Sequence, residues 1–249
     1  MTRVLRLVGV LCVAGVLFAQ APASRPTDAA PVAAARELLS KLGRAGQDLT
    51  TLRARCVQER TTALRRTSLV SRGEVRYRSE PPCVLFAFDE PRPVQLRLDT
   101  GGYEVLRPQD RTLERFVLDR DDLPRALFQA FRPDLQQLEE RFAVQGSTPV
   151  TGPDGKTVLH EIKLAPRHEE TLAWLRELTL TVDPGANAVV AIAYRDGQGD
   201  LVAIRLEGIE RNPRLAADAF TLAAPAGTQV LTHPARAPAS QPASREAGR

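Results

Sequence analysis

The sequence contains few of the residue types that catalytic and metal sites require. Its 249 residues include three cysteines and three histidines. The histidines (His160, His168 and His233) lie far apart, with no cysteine or carboxylate at a metal-ligand spacing. The G-x-S-x-G nucleophile elbow and the Gly-rich phosphate loop are both absent. The sequence therefore predicts a protein that is not an enzyme and that uses neither a cofactor nor a metal.

Long hydrophobic runs are scarce as well, and the one that stands out is at the N-terminus. Arg3 and Arg6 precede an apolar run from Leu7 to Phe18, and Ala21-Pro22-Ala23 follows it. This layout is typical of a secretory signal peptide, here residues 1–23. The run is shorter than the roughly 20 residues of a membrane-spanning helix, although an uncleaved anchor is the alternative. We therefore predict an exported protein of the periplasm.

The net charge is low once the two ends are set aside. The whole chain carries +4. Arg3 and Arg6 supply two of these charges, and the tail from Thr232 supplies a net two more. Residues 24–231 are therefore close to neutral, and no cluster of Lys and Arg among aromatic side chains occurs there. The sequence predicts no nucleic-acid partner.

Two cysteines, Cys56 and Cys83, follow the predicted signal peptide. An oxidising compartment permits a disulfide between them. If they lie in the first and third strands of one sheet, however, two strand spacings of about 4.8 Å separate them. That separation exceeds the roughly 7 Å that a disulfide spans between Cα atoms. Both the bonded and the free state are compatible with the sequence.

Composition divides the rest of the chain into a domain and two flanking segments. Residues 24–31 and 232–249 are rich in Pro, Ala and Ser. They lack the apolar side chains that would offset the entropy of ordering, so we predict a disordered linker and a disordered tail. The domain, residues 32–231, is predicted to begin with an amphipathic helix that ends at Gly43 and Gly46.

Short strands with turn signals make up most of this domain. Apolar and polar residues alternate in about eleven runs, which is typical of an antiparallel sandwich or barrel. Asp121-Asp122-Leu123-Pro124 has the acidic N-cap and first-turn proline of a helix start, and Pro133 begins a second short helix. The sequence predicts a mainly β fold with an N-terminal helix and a mid-chain helical pair.

The last strands carry turn sequences that occur in a fixed order. These are Val182-Asp183-Pro184, Asp196-Gly197-Gln198-Gly199, Asn212-Pro213, Ala219-Phe220-Thr221-Leu222, and then Pro225 and Gly227. In this order and spacing they resemble the C-terminal part of LolA-type periplasmic lipoprotein carriers. The resemblance covers roughly residues 36 to 231, because the order of helix, six strands, helices and five strands also matches.

The resemblance implies a half-open, curled antiparallel β-barrel whose helices form a lid over an apolar cavity for acyl chains. The side chains expected to line or cover that cavity are Val75, Tyr77, Phe86, Phe88, Leu96, Leu98, Leu127, Phe128, Phe131, Leu180, Val182, Ile192, Ile204 and Leu206. Alternation alone favours a filled core over a cavity, and only the resemblance favours the cavity. Family members latch the lid with an arginine of the second strand near a proline. Arg78 is the candidate here, with a solvated strand arginine as the alternative.

The resemblance also implies a function and partners. It predicts a monomeric periplasmic carrier that takes acylated lipoproteins from an inner-membrane release transporter (LolCDE-like) to an outer-membrane acceptor (LolB-like) or membrane surface. A carrier of free lipid or glycolipid is a second possibility, since cavity patterning does not reveal the head group. A third is an RseB-like envelope-stress sensor, although the chain ends soon after Val230, where such sensors continue into a second domain.

Overall fold

The protein forms one curled sheet of twelve strands with helices packed on it. The computed structural model describes residues 29–64, 67–117, 128, 131–172 and 175–233. The elements are α1 (Ala29–Ala45), β1 (Thr51–Thr61), β2 (Ser68–Ser79), β3 (Pro82–Glu90), β4 (Val94–Asp99), β5 (Gly102–Arg107), β6 (Thr112–Val117), α2 (Leu135–Arg141), β7 (Phe142–Thr151), β8 (Val158–Pro166), β9 (Leu175–Asp183), β10 (Ala188–Asp196), β11 (Leu201–Arg211) and β12 (Gln229–His233). A single helical turn lies at Glu169–Leu172.

The strand order is β12-β6-β5-β4-β3-β2-β1-β11-β10-β9-β8-β7. Two antiparallel meanders, β1–β6 and β7–β11, are therefore joined through the pairing of β1 with β11. Strands β6 and β7 lie at opposite sides of this order, and much of the chain between them lies outside the described residues. The chain from β11 has to pass the first meander to reach β12.

Alternation along the strands gives the sheet two different faces. In β3, Val84, Phe86 and Phe88 belong to the main core, whereas Cys83 and Leu85 belong to a second, smaller cluster. Successive side chains of a strand point to opposite faces of the sheet, so the two clusters lie on opposite faces. We call the face of Phe86 the inner face and the face of Leu85 the outer face.

A segment that we call the strap, residues 213–228, covers part of the outer face. Ala219 and Phe220 of the strap pack against Cys83 and Leu85, and Arg76 of β2 donates a hydrogen bond to the carbonyl of Ala219 at 3.0 Å. After the strap the chain pairs with β6 as β12. This pairing is parallel, unlike every other strand pair described here.

The predicted mainly β fold with helices is confirmed, with differences at the ends. The eleven predicted strand runs correspond to β1–β11. The structure adds β12, so Thr232 and His233 are in a strand although we predicted a disordered tail from residue 232. Helix α1 begins at Ala29, within the predicted linker. The signal peptide and the helix start at Asp121 lie outside the described residues.

The two cysteines are free, and the sheet explains why. Cys56 packs in the inner cluster and Cys83 in the outer one, so the β-sheet itself separates the two thiols. Burial raises the pKa of Cys56 to about 12 and that of Cys83 to about 11. Both thiols are therefore neutral and poorly reactive near neutral pH.

Candidate functional site

The inner face of the sheet is a continuous apolar surface that both meanders build. Tyr77 and Phe86 come from the first meander, and Leu180 and Ile204 come from the second. All four side chains are at most 4 % exposed. Since strands of both meanders contribute, the apolar surface extends across the centre of the curled sheet.

Thirteen of the fourteen residues predicted to line or cover a cavity are in this one cluster. Eleven are buried and two are partly buried, namely Val75, Tyr77, Phe86, Phe88, Leu98, Phe131, Leu180, Val182, Ile192, Ile204 and Leu206, then Leu96 and Phe128. The fourteenth, Leu127, lies outside the described residues. The predicted set is therefore brought together in space, and whether it binds a ligand is a separate question.

Helical side chains occupy the space in front of this surface. Ala35 and Leu39 of α1 are completely buried, and Leu42 of α1 and Leu138 of α2 are 4 % and 2 % exposed. The apolar face of α1 was predicted, but its residues were not assigned to the site. An amphipathic helix has to pack its apolar stripe against something, and that signal could have placed α1 over the sheet.

The chain before α2 approaches both the sheet and α1 closely. The ring of Phe131 stacks on Tyr77, with centroids 5.3 Å apart and planes 12° apart. On its other side, Gly43 of α1 allows close contact, because a Cβ at this position would lie 2.7 Å from the carbonyl oxygen of Pro133. The chain at 131–133 therefore contacts strand β2 through Phe131 and the C-terminal part of α1 through Pro133.

A small cavity remains beside Phe131. Its volume is about 20 Å³, and its walls include Leu42, Leu49, Leu52 and Arg211. This volume suits one water molecule and is far below that of an acyl chain. To bind at this cavity, a ligand with a long chain would therefore have to displace side chains such as Leu42 and Phe131 that form its walls.

Arg78 does not lie where a latch on the inner face would have to be. It follows Tyr77 in β2, so its side chain is on the outer face. There its Nε donates to the carbonyl oxygen of Pro81 at 3.1 Å, and its guanidinium lies 4.8 Å from the centre of the Phe220 ring. The sheet therefore separates Arg78 from Phe131, and most of the predicted lid lies outside the described residues, so the latch at Arg78 stays a prediction.

Each of the three histidines contacts a neighbouring protein group. The Nδ1 atom of His160 lies 3.1 Å from the hydroxyl of Ser147, the Nε2 atom of His168 lies 3.0 Å from the carbonyl oxygen of Glu140, and His233 stacks on Phe116. Within the described ranges, no group of three or more His, Cys, Asp or Glu side chains is placed to hold a metal ion. In the same residues, no helix combines the length and apolar character needed to cross a bilayer.

No protein-family model and no curated protein matches the sequence. Solved structures of similar fold include a DUF1329 family protein from Desulfovibrio piger, with 14 % identity over 76 % of this chain and 97 % of that chain and a TM-score of 0.45. A LolA superfamily protein from Nitrosomonas europaea has 10 % identity over 76 % and 97 % of the two chains and a TM-score of 0.39. A chain of the MucA/MucB complex from Pseudomonas aeruginosa has 13 % identity and a TM-score of 0.43. The match covers 76 % of this chain and 61 % of that chain. These likenesses concern the fold.

Proposed function

We propose that the protein is a periplasmic carrier that sequesters the acyl chains of lipoproteins against the inner face of the sheet. The carrier would take them from an inner-membrane release transporter (LolCDE-like) to an outer-membrane acceptor (LolB-like). One observation supports this most directly. The large apolar face formed by both meanders is covered by helical segments, which can be displaced without breaking the pairing of strands.

The energetics explain both the need for a carrier and the ease of release. Each CH₂ of an acyl chain contributes about 0.8 kcal/mol when it leaves water, so an acylated protein does not cross an aqueous compartment unaided. In the empty carrier, side chains such as Leu39 and Phe131 already occupy the inner face. An entering chain therefore gains only the difference between its own contacts and theirs, and the net affinity is moderate.

Native mass spectrometry on protein purified from the periplasm of its own host would identify the cargo. A bound triacylated lipoprotein is the expected result. A bound free phospholipid or glycolipid would instead identify a lipid carrier with the same interior. A protein that carries no ligand and excludes a fluorescent fatty acid would contradict both, because it would show that the apolar cluster is only a filled core.

Phe131 gives a sharper test, because it competes directly with the ligand. An aromatic stack contributes about 0.5–1.5 kcal/mol beyond area burial, so Phe131→Ala should bind a fluorescent fatty acid about two- to tenfold more tightly. Simple loss of structure would weaken binding instead. Phe220→Ala is the matched control, since Phe131 and Phe220 are both 8 % exposed but lie on opposite faces. This control should leave probe affinity unchanged.

A further inference from the structure

The described sheet has two edge strands, β7 and β12, and β7 is protected against pairing with another chain. Its register shifts at a bulge between Val144 and Gly146, and Pro149 has no N–H to offer an added strand. Helix α1 also lies close to it, because a Cβ at Gly146 would be 3.2 Å from the Cβ of Pro31. Bulges, prolines and covering helices are common ways in which proteins block an edge strand.

Strand β12 lacks these protections. Its sequence, Gln229–His233, contains no proline and no Asp, Glu, Lys or Arg, and its pairing with β6 runs through all five residues in one register. All five are exposed, with Val230 at 48 % and Leu231 at 37 %. An edge strand of this kind is a template to which another strand can be added.

The pairing with β6 determines which backbone groups of β12 point away from the sheet. The amide of Gln229 donates to the carbonyl oxygen of Arg111 at 2.8 Å, so the backbone groups of Gln229 face β6. These groups alternate in direction along a strand. Those of Leu231 therefore also face β6, and the N–H and C=O groups of Val230 and Thr232 point outward.

This edge is complementary to a second copy of itself. If two β12 strands run antiparallel about a two-fold axis at Leu231, Val230 of each copy lies opposite Thr232 of the other. These are the residues with outward backbone groups, so they can form the hydrogen-bonded pairs of an antiparallel ladder. Leu231 then lies opposite its own copy in a non-hydrogen-bonded pair, where side chains approach most closely. Because β12 has no Asp, Glu, Lys or Arg, no such charges repel each other across the axis.

We propose that the protein forms a symmetric dimer through antiparallel pairing of β12 with β12 of a second copy. The two-fold axis lies at Leu231, and the two twelve-stranded sheets join at their edges. This inference goes beyond the carrier function and does not depend on it, because the contact is at the edge of the sheet and the acyl chain would lie on the inner face. A monomer, which the resemblance to lipoprotein carriers implies, is the competing outcome.

Sedimentation velocity over a series of protein concentrations tests the proposal. The average mass of the wild type should rise with concentration from one chain to two. Leu231→Lys places like charges opposite each other and should weaken the dimer at least about tenfold, and Leu231→Glu should do the same. An equimolar mixture of these two variants should dimerise again, because opposite charges then meet at the axis.

The matched control is Val158→Lys, because Val158 is also exposed, at 59 %, but begins β8. This variant should dimerise like the wild type. Since Leu231 is exposed in the single chain, Leu231→Lys should keep the urea midpoint of the wild type, which separates loss of the dimer from loss of the fold.

Disulfide cross-linking tests the register of the two strands. Leu231→Cys should link two copies under mild oxidation, because the Cα atoms of a non-hydrogen-bonded pair are about 4.5 Å apart, within the range that a disulfide spans. Val230→Cys should not, because Val230 lies opposite Thr232 and its own copy is two residues further along the strand. The native thiols of Cys56 and Cys83 are buried and should stay unlinked.

Three results would overturn the proposal. The first is a wild type that keeps the mass of one chain at every concentration. The second is a dimer that both Leu231→Lys and Leu231→Glu leave intact, because the contact would then lie elsewhere. The third is a dimer in which Val230→Cys cross-links and Leu231→Cys does not, because the two-fold axis would then not lie at Leu231.

Discussion

Phe131 and Phe220 show how differently the two faces of the sheet are covered. Each is 8 % exposed, and each packs beside β2. Phe131 meets the inner face through its stack on Tyr77. Phe220 meets the outer face beneath the guanidinium of Arg78, next to the hydrogen bond from Arg76 to the carbonyl of Ala219.

This difference in contacts bears on which covering segment a lipid chain could replace. A hydrocarbon chain can replace an aromatic ring that makes only apolar contacts, because the two offer the sheet equivalent surface. A hydrocarbon chain replaces the strap less readily, because the half-buried guanidinium of Arg76 would lose the carbonyl of Ala219 as its acceptor. Under the proposed function, a lipid ligand would therefore compete for the inner face, and the strap would stay on the part of the outer face that it covers.

Removing a ring from the inner face should have the largest effect. Phe86 is 1 % exposed and lies in the centre of the inner cluster, so Phe86→Ala should lower the free energy of unfolding by about 3–5 kcal/mol. The neighbouring residue on the outer face, Leu85, provides the comparison. Leu85→Ala should lower the free energy of unfolding by about 2–3 kcal/mol. This loss comes from the contacts of Leu85, which include side chains of the strap. Urea denaturation measures both, and a smaller loss for Phe86→Ala would contradict the assignment of the main core.

Removing a ring from the strap should have a smaller effect on stability and a selective effect on one thiol. Phe220→Ala should lower the free energy of unfolding by about 3 kcal/mol, the lower limit for a buried phenylalanine. It should also speed the labelling of Cys83 by a thiol reagent about tenfold, because exposure lowers the pKa of this thiol from about 11 towards its ordinary value. Cys56 lies on the inner face and should react as slowly as in the wild type. Equal acceleration of both thiols would mean that the whole sheet, and not only the strap, had loosened.

The inner face could be predicted from the sequence because it repeats a simple pattern. Val84, Phe86 and Phe88 alternate with Leu85, and such alternation fixes which residues share a face. The same rule, applied to Tyr77 and Arg78, places them on opposite faces and would have placed Arg78 on the face away from Phe131. Its closeness in sequence to Pro81 carried no information about the face on which it lies.

The outer cover could not be predicted in the same way. Leu85 is an apolar residue at an outward position, and it indicates that something covers it without identifying the segment. Strand β12 gave a weak signal because all five of its residues are exposed. Its place beside β6 depends on where the strap leads the chain. Such long-range connections follow from packing of the whole chain and not from a local period.

The ion pairs on the outer face should contribute least to the free energy of unfolding. In this they should differ from the strap on the same face. Glu104 of β5 forms a salt bridge with Arg97 of β4 at 3.1 Å and accepts a hydrogen bond from Arg115 of β6 at 2.7 Å, so one carboxylate links three strands. Both arginines are partly exposed to water, and exposed ion pairs contribute little because solvent screens them.

Glu104→Gln should therefore lower the free energy of unfolding by less than about 1 kcal/mol. The difference from wild type should shrink further at about 1 M salt, where the screening length falls to roughly 3 Å. Urea midpoints at low and high salt measure this. A loss above about 2 kcal/mol that salt does not change would mean that Glu104 is held by a buried network. Ion pairs would then stabilise the outer face as the strap does. A lipid could then replace the covering side chains only on the inner face.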